Sequence, residues 1–264
     1  MSQPVNPLNI KDKPEEIVPG TWGRFFLVIR KYRPLAWLIF LIASLVLFIA
    51  WMPAQMRVII WNGLAVRGIL SSMLLVLSLL AISLVWSVGQ RLDVWVFLFF
   101  NLRGSRPVWL DRTMLGFTQI GSSLASLVTG LILFLAGYRL VVYEIILGTL
   151  TLWIVVELLK TLVRRSRPIF RVTQARIVGY QARGRSFPSG HTSQAFFMMT
   201  LLASHFNASI WVVILLYAIA LLVGITRMYV GAHYPRDVLA GAILGSTWGL
   251  LGVLVDEYML KGIG

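Results

Sequence analysis

Seven long runs of apolar residues govern what this chain can fold into. They cover roughly 35–52, 68–88, 114–137, 140–162, 193–206, 210–230 and 238–255. A hydrocarbon core about 30 Å thick takes about 20 apolar residues of helix to cross, and most of these runs reach or approach that length. Of the 264 residues, 58% are hydrophobic and only 13% charged, where a soluble domain carries about 25% charged residues. No water-soluble core of this size can hide so much apolar surface, so lipid is the solvent for most of the chain. The expected fold is all-α, a polytopic membrane bundle of about six or seven spanning helices.

Individual runs carry finer expectations. The run at 193–206 is short and becomes adequate only if its helix begins at the Ser-Gly turn before it. Residues 94–100 are apolar but too few to span, and are assigned to the interface. Trp51, Trp61, Trp86, Trp109 and Trp211 lie near run ends, as an interfacial aromatic belt requires. Residues 1–20 are polar and proline-rich without the apolar centre of a cleavable leader, so the first spanning helix is expected to direct membrane insertion. The chain has no cysteine, which excludes disulfides, thiolate metal sites and a cysteine nucleophile. A net charge of +14 can signify nucleic acid, but here the cations lie between apolar helices. Anionic headgroups and a phosphorylated substrate explain them better, and no nucleic-acid partner is expected.

Polar residues are costly in such a chain, so a convergent set of them marks function. Three segments form that set. The first is Lys160, then Arg167-Pro168, seven residues or two helical turns apart, with Arg164 on the same face if the helix continues to Pro168. Arg holds two phosphate oxygens at once and Lys adds a compact charge. Alone, the segment reads equally well as snorkelling interfacial cations. The second segment is Pro188-Ser189-Gly190-His191. Ser189 is placed as the N-cap of a helix, Gly190 lets the backbone approach a ligand, and a helix start favours anions. A capped helix with an incidental histidine is the plain alternative.

The third segment runs Arg227, His233, Asp237. Pro235 suits the first position of a new helix and Asp237 its first turn. From there Asp237 is expected to accept a hydrogen bond from one nitrogen of His233, freeing the other to attack. A structural Arg227–Asp237 salt bridge is the alternative. Two of the chain's three histidines fall inside these segments; the third, His205, is read as structural. The ten acidic residues are scattered, and a two-metal phosphatase needs several together, so the chemistry is expected to need neither metal nor other cofactor. Glu157, three residues before Lys160, is expected to pair with it.

In order and spacing, the three segments resemble the tripartite signature of the type 2 phosphatidic acid phosphatase superfamily, which includes membrane lipid phosphatases, polyprenyl diphosphate phosphatases and vanadium haloperoxidases. The resemblance covers roughly residues 94–258, and its one visible departure is Thr226 where the family usually has serine. It implies a division into a polar segment (1–33), an added transmembrane hairpin (34–90), a phosphatase core of haloperoxidase type (91–258) and a short tail (259–264). It also implies phosphoryl transfer in which Lys160, Arg167, Ser189, Gly190 and Arg227 hold the phosphate. His233 attacks it, oriented by Asp237, and His191 protonates the leaving group. The expected substrate is lipid-linked, of the phosphatidate, phosphatidylglycerol phosphate or polyprenyl diphosphate type, and the expected location is a bacterial plasma membrane. The rival reading is a non-catalytic binder or carrier of phosphorylated lipids or sugars, for which the cations alone suffice. Of the 24 Lys and Arg, 20 fall on the face that carries the motifs. Charge bias therefore places that face in the cytoplasm, whereas members of the family more often place it outside.

Overall fold

The computed structural model describes residues 68–84, 87–101 and 106–261, with isolated positions between 43 and 54. The polar segment 1–33, nearly all of the first apolar run, Trp61 and Trp86 lie outside the described residues. The chain divides into two units, one over 11–71 and one carrying the residues from 72 onward; the second holds all three motifs.

The described elements are helical. In chain order they are α1 (Gly68–Ser83), α2 (Ser87–Asn101), α3 (Val108–Gln119), α4 (Ser123–Leu135), α5 (Arg139–Val163), a 3-10 turn (Pro168–Phe170), α6 (Gly190–His205), α7 (Ile210–Tyr229) and α8 (Pro235–Lys261). Among the described residues, two regions are each long and apolar enough to cross a bilayer by themselves, one built on α5 and one on α7; α3 and α4 together make a third if the pair counts as one span. At 1.5 Å per residue the 16 residues of α6 reach about 24 Å. That helix does begin at Gly190, as the short fifth run required, and α8 begins at Pro235.

Two runs are not the single helices their composition suggested. The run at 68–88 is helical only to Ser83, and a new helix starts at Ser87. The run at 114–137 is broken between α3 and α4, which meet at 59°. Packing explains the second break. A Cβ at Gly121 would sit 2.4 Å from the His191 carbonyl oxygen, so the corner is pressed against the start of α6. Ser122 then caps α4, its hydroxyl accepting from Ala125 N at 3.1 Å.

The centre of the bundle is α6, which lacks a lipid-facing stripe: Thr192, Ser193, Ala195, Phe197 and Leu201 are all buried. It packs most closely on α8, and small residues make that possible. Cβ atoms at Gly241, Gly245 and Gly249 would lie 2.7 Å from Ser189 O, 2.1 Å from Ser193 O and 3.0 Å from Phe197 O. Spaced four apart, these glycines form a ridge on which one backbone rests against another. On the other side Val141, Ile145, Leu152 and Val156 of α5 join Phe197, Met198 and Leu201. Gln194 ties three helices together, its amide nitrogen donating to Ser126 at 2.7 Å and Thr149 at 2.8 Å.

The outer helices show the reverse pattern. Leu127, Leu131 and Leu135 of α4, Leu147 and Ile154 of α5, and Trp211 and Leu215 of α7 are exposed, as lipid-facing residues should be. Trp109 is exposed as well. Residues 94–100, assigned to the interface, belong to α2, which packs one face inward: Asp93, Phe97 and Asn101 are buried. Asn101 donates to Tyr229 O at 2.7 Å and accepts from Arg176 N at 2.7 Å, tying α2 to the end of α7 and to the segment after α5.

Candidate active site

Every motif lies at a helix end, and these ends meet at one pole of the bundle. α5 ends one turn before Pro168 rather than at it. Arg164 adopts a left-handed conformation (φ 51°, ψ 31°) and its amide closes on Lys160 O. This turn separates the cations that a continuous helix would have aligned. Lys160 stays on the helix and Arg167 moves into the loop. Arg164 faces outward, its Nε on the carbonyl of Thr161 at 3.1 Å.

Lys160, Arg167, Gly190, His191, Arg227 and His233 line one cavity of about 320 Å³. Cross-contacts confirm the convergence. A Cβ on Gly190 would lie 4.0 Å from Lys160 Nζ, Arg167 Nη1 sits 3.1 Å from His233 Nε2, and Ser189 N donates to Asp237 O at 3.0 Å. Arg167 is further held by Arg183 O at 3.1 Å and Ala232 O at 3.0 Å. Arg227, arriving from the last turn of α7, donates to Thr118 of α3 at 2.8 Å. Its Nε is buried with no hydrogen-bond partner among the described residues. A buried donor of that kind calls for an acceptor. Leu115, Ile169, Ile177 and Val230 add an apolar share to the lining.

The hydrogen bonds of His233 define its tautomer. Nδ1 lies 2.7 Å from the carbonyl oxygen of Ser186, which can only accept, so Nδ1 carries the hydrogen. Nε2 faces Arg167, which can only donate, so Nε2 carries the lone pair. Burial holds the His233 pKa well below its ordinary value, and the positive charges of Arg167, Arg227 and Lys160 add to that, against the opposing Ser186 hydrogen bond. The imidazole is therefore neutral, with its lone pair turned to the cavity.

Two sequence expectations need correction, and one alternative falls away. Asp237 does not hydrogen-bond His233: its nearest oxygen is 3.9 Å from Nδ1, and the Ser186 carbonyl takes that place. Asp237 instead accepts from Tyr234 N at 2.9 Å, as a first-turn carboxylate can, and from Arg165 at 2.5 Å. The Arg227–Asp237 salt bridge is accordingly not formed, since Arg227 turns to Thr118. Ser189 precedes α6, but its hydroxyl pairs with that of Thr192 at 2.8 Å instead of capping the backbone, and the residue is fully buried. Ser189 is not among the residues that line the cavity. The first-turn amides of α6 are what the helix start can offer an anion. The Glu157–Lys160 pair is present at 2.7 Å, and His205 packs edge-on against Phe206.

Arg165, Asp93, Thr118 and Ser186 complete the site and were assigned no part in it from the sequence. Asp93 had a signal: it is one of ten acidic residues and borders an apolar run, where a carboxylate needs a partner. Ser186 had none, because it acts through its backbone.

Helices packed for lipid around a buried cationic cavity with two histidines define a class, membrane proteins that handle phosphoryl groups. The chain belongs to the PAP2 superfamily, whose profile matches residues 140–259. Phosphatidylglycerophosphatase B of Bacillus subtilis is 30% identical over 154 residues, covering 53% of this chain and 72% of that one. A lipid A 1-phosphatase of Porphyromonas gingivalis is 35% identical over 77 residues, 29% of this chain but only 17% of that longer protein. Among solved structures, the transmembrane PAP2-type phosphatidylglycerolphosphate phosphatase of Bacillus subtilis superposes with a TM-score of 0.63 at 28% identity, over 72% of this chain and 96% of that one.

Proposed function

We propose that this chain is a membrane phosphatase that removes phosphate from a lipid-linked monoester or diphosphate through a phosphohistidine on His233. The observation that carries the reading is the His233 imidazole. A backbone carbonyl holds its Nδ1–H, and its Nε2 lone pair faces a cavity lined by Lys160, Arg167 and Arg227. In the first step Nε2 attacks phosphorus as the bond to the leaving oxygen breaks. The three cations and the amides at the start of α6 take up the charge on the non-bridging oxygens. His191, in the same cavity, takes up a proton when the bound phosphate offsets the three cations around it, and gives that proton to the leaving oxygen. In the second step His191 takes a proton from water, the hydroxide attacks phosphorus, the P–N bond breaks and inorganic phosphate departs. Asp237 supports the geometry behind the nucleophile and touches no substrate.

Exposed apolar helices around the site and relatives that are named for phosphorylated lipids support a lipid substrate. The catalytic core is inferred to run over 91–258, since α2 contributes Asp93 and Asn101 to the support of the site. Phosphate release from a panel of phosphatidate, phosphatidylglycerol phosphate, lipid A and undecaprenyl diphosphate in detergent tests the activity and narrows the substrate. His233→Ala is expected to abolish release from all of them; substantial remaining turnover overturns the assignment, and binding without turnover in the native chain favours a carrier.

We further infer a bacterial plasma membrane with the site on the cytoplasmic face, from the charge bias. The cysteine-free sequence makes a clean test. In intact cells an impermeant thiol reagent should label Ser209→Cys and spare Gln181→Cys; the reverse pattern places the site outside.

A further inference from the structure

What aims His233 is not the carboxylate that its sequence neighbourhood offers. Arg167 meets the Nε2 side of the ring; on the Nδ1 side, the Ser186 carbonyl and the more distant Asp237 carboxylate both lead to one residue, Arg165. Through its backbone, the Arg165 carbonyl accepts from Ser186 N at 2.9 Å, and the Ser186 carbonyl in turn accepts from His233 Nδ1 at 2.7 Å. Through its side chain, Arg165 donates to Asp237 Oδ1 at 2.5 Å while Oδ2 accepts from Tyr234 N, the residue next to the nucleophile. The guanidinium also lies 4.2 Å above the Tyr234 ring.

The far side of that guanidinium is held in place by Asp93 of α2, only 2% exposed, with which it forms a second ion pair. Asp93 takes a further bond from Arg236 Nε at 2.7 Å. Two arginines and two aspartates thus close into a buried set without net charge. Arg165 is absent from the cavity lining, so it is not a phosphate ligand like Lys160, Arg167 and Arg227. Its planar fork is what lets one residue bridge two carboxylates.

We propose that Arg165, locked by Asp93, is the positioning residue for the nucleophile, acting through the Ser186 carbonyl and Asp237. The inference rests on the reading of His233 as the attacking group. A near-attack geometry is sensitive to small displacements, and about 1 Å costs on the order of a hundredfold.

The test uses the full chain in detergent. The Arg165→Met/Asp93→Asn double variant keeps the buried set neutral, since Arg236 and Asp237 remain. Its kcat is expected to fall about a hundredfold, with KM and inhibition by inorganic phosphate unchanged because the three cavity cations stay. Adding Asp237→Asn should cost little more. Arg165→Lys, which keeps the charge but loses the fork, is the variant to use if the double variant fails to fold, and should show a smaller fall in kcat at constant KM. Wild-type kcat in these variants overturns the inference. So does a loss of kcat accompanied by equally weakened phosphate inhibition, which marks a collapsed cavity and a merely structural role. Turnover surviving in His233→Ala overturns the nucleophile reading itself, and is thereby told apart from a failure confined to Arg165.

Discussion

Two charge clusters stand back to back at the active pole of the bundle, and they are built on opposite rules. The one that lines the cavity is unbalanced: Lys160, Arg167 and Arg227 face it, and the nearest carboxylate, Glu157, is about half exposed and pairs with Lys160 from outside. The one behind it, made of Asp93, Arg165, Asp237 and Arg236, is balanced and closed, with each aspartate in contact with an arginine. Burying charge is costly unless it is compensated. The closed cluster compensates itself and can serve as scaffold in the empty protein. The open cluster stays short of negative charge until a phosphate group arrives. His233 lies where they meet, its Nδ1 side turned to the scaffold and its Nε2 to the open cluster.

The difference can be broken from either side. Removing charge from the open cluster should have the largest effect. Arg167→Met deletes a cavity cation and the contact on Nε2, and kcat/KM is expected to fall by about 10²–10³, with phosphate inhibition weakened in parallel. A smaller loss there would mean that Arg167 belongs with the scaffold. Asp237→Asn acts on the closed cluster and should be milder, about ten- to a hundredfold in kcat with phosphate inhibition intact. It should also lower the melting temperature, because Arg165 loses a buried counter-charge. A loss as great as that of His233→Ala would restore Asp237 to direct action on the nucleophile.

The third expectation concerns protonation and leaves turnover untouched. The folded pKa of His233 lies below its unfolded value of about 6.5, so the native imidazole stays neutral as pH falls through 6 while the unfolded one takes up a proton. The fold therefore loses stability below that value. Nitrogen-15 NMR of the histidines in detergent should show His233 in the neutral form, protonated on Nδ1, at pH 6. An imidazolium signal would contradict the geometry of both clusters.

Much of this architecture was legible in the residues. The spans on α5 and α7 follow from unbroken apolar runs, and the starts of α6 and α8 follow from Gly190 and Pro235. Lys160, Arg167, Gly190, His191, Arg227 and His233 are all legible in the sequence, and all line one cavity. Each carries its chemistry in its own side chain and sits in a local pattern that spacing can report. The bend at Gly121 was not legible, because the His191 carbonyl that forbids a side chain there is 70 residues away. Nor was the outward turn of Arg164, which depends on where α5 closes its last turn.

The deepest difference concerns the nucleophile. Proximity along the chain offered Asp237 as the partner of His233, four positions on. Folding brought the Ser186 carbonyl closer and gave Asp237 to Arg165, leaving 3.9 Å between carboxylate and imidazole. A backbone carbonyl is common to every residue and leaves no trace in a sequence, and a buried carboxylate goes to the cation that best repays its desolvation. The sequence by itself determined a membrane bundle and most of the charged and histidine side chains that line the cavity. Only the tertiary structure decided what surrounds the His233 imidazole, since that turns on contacts between α2, the loop before α6, the loop before α8, and α8 itself.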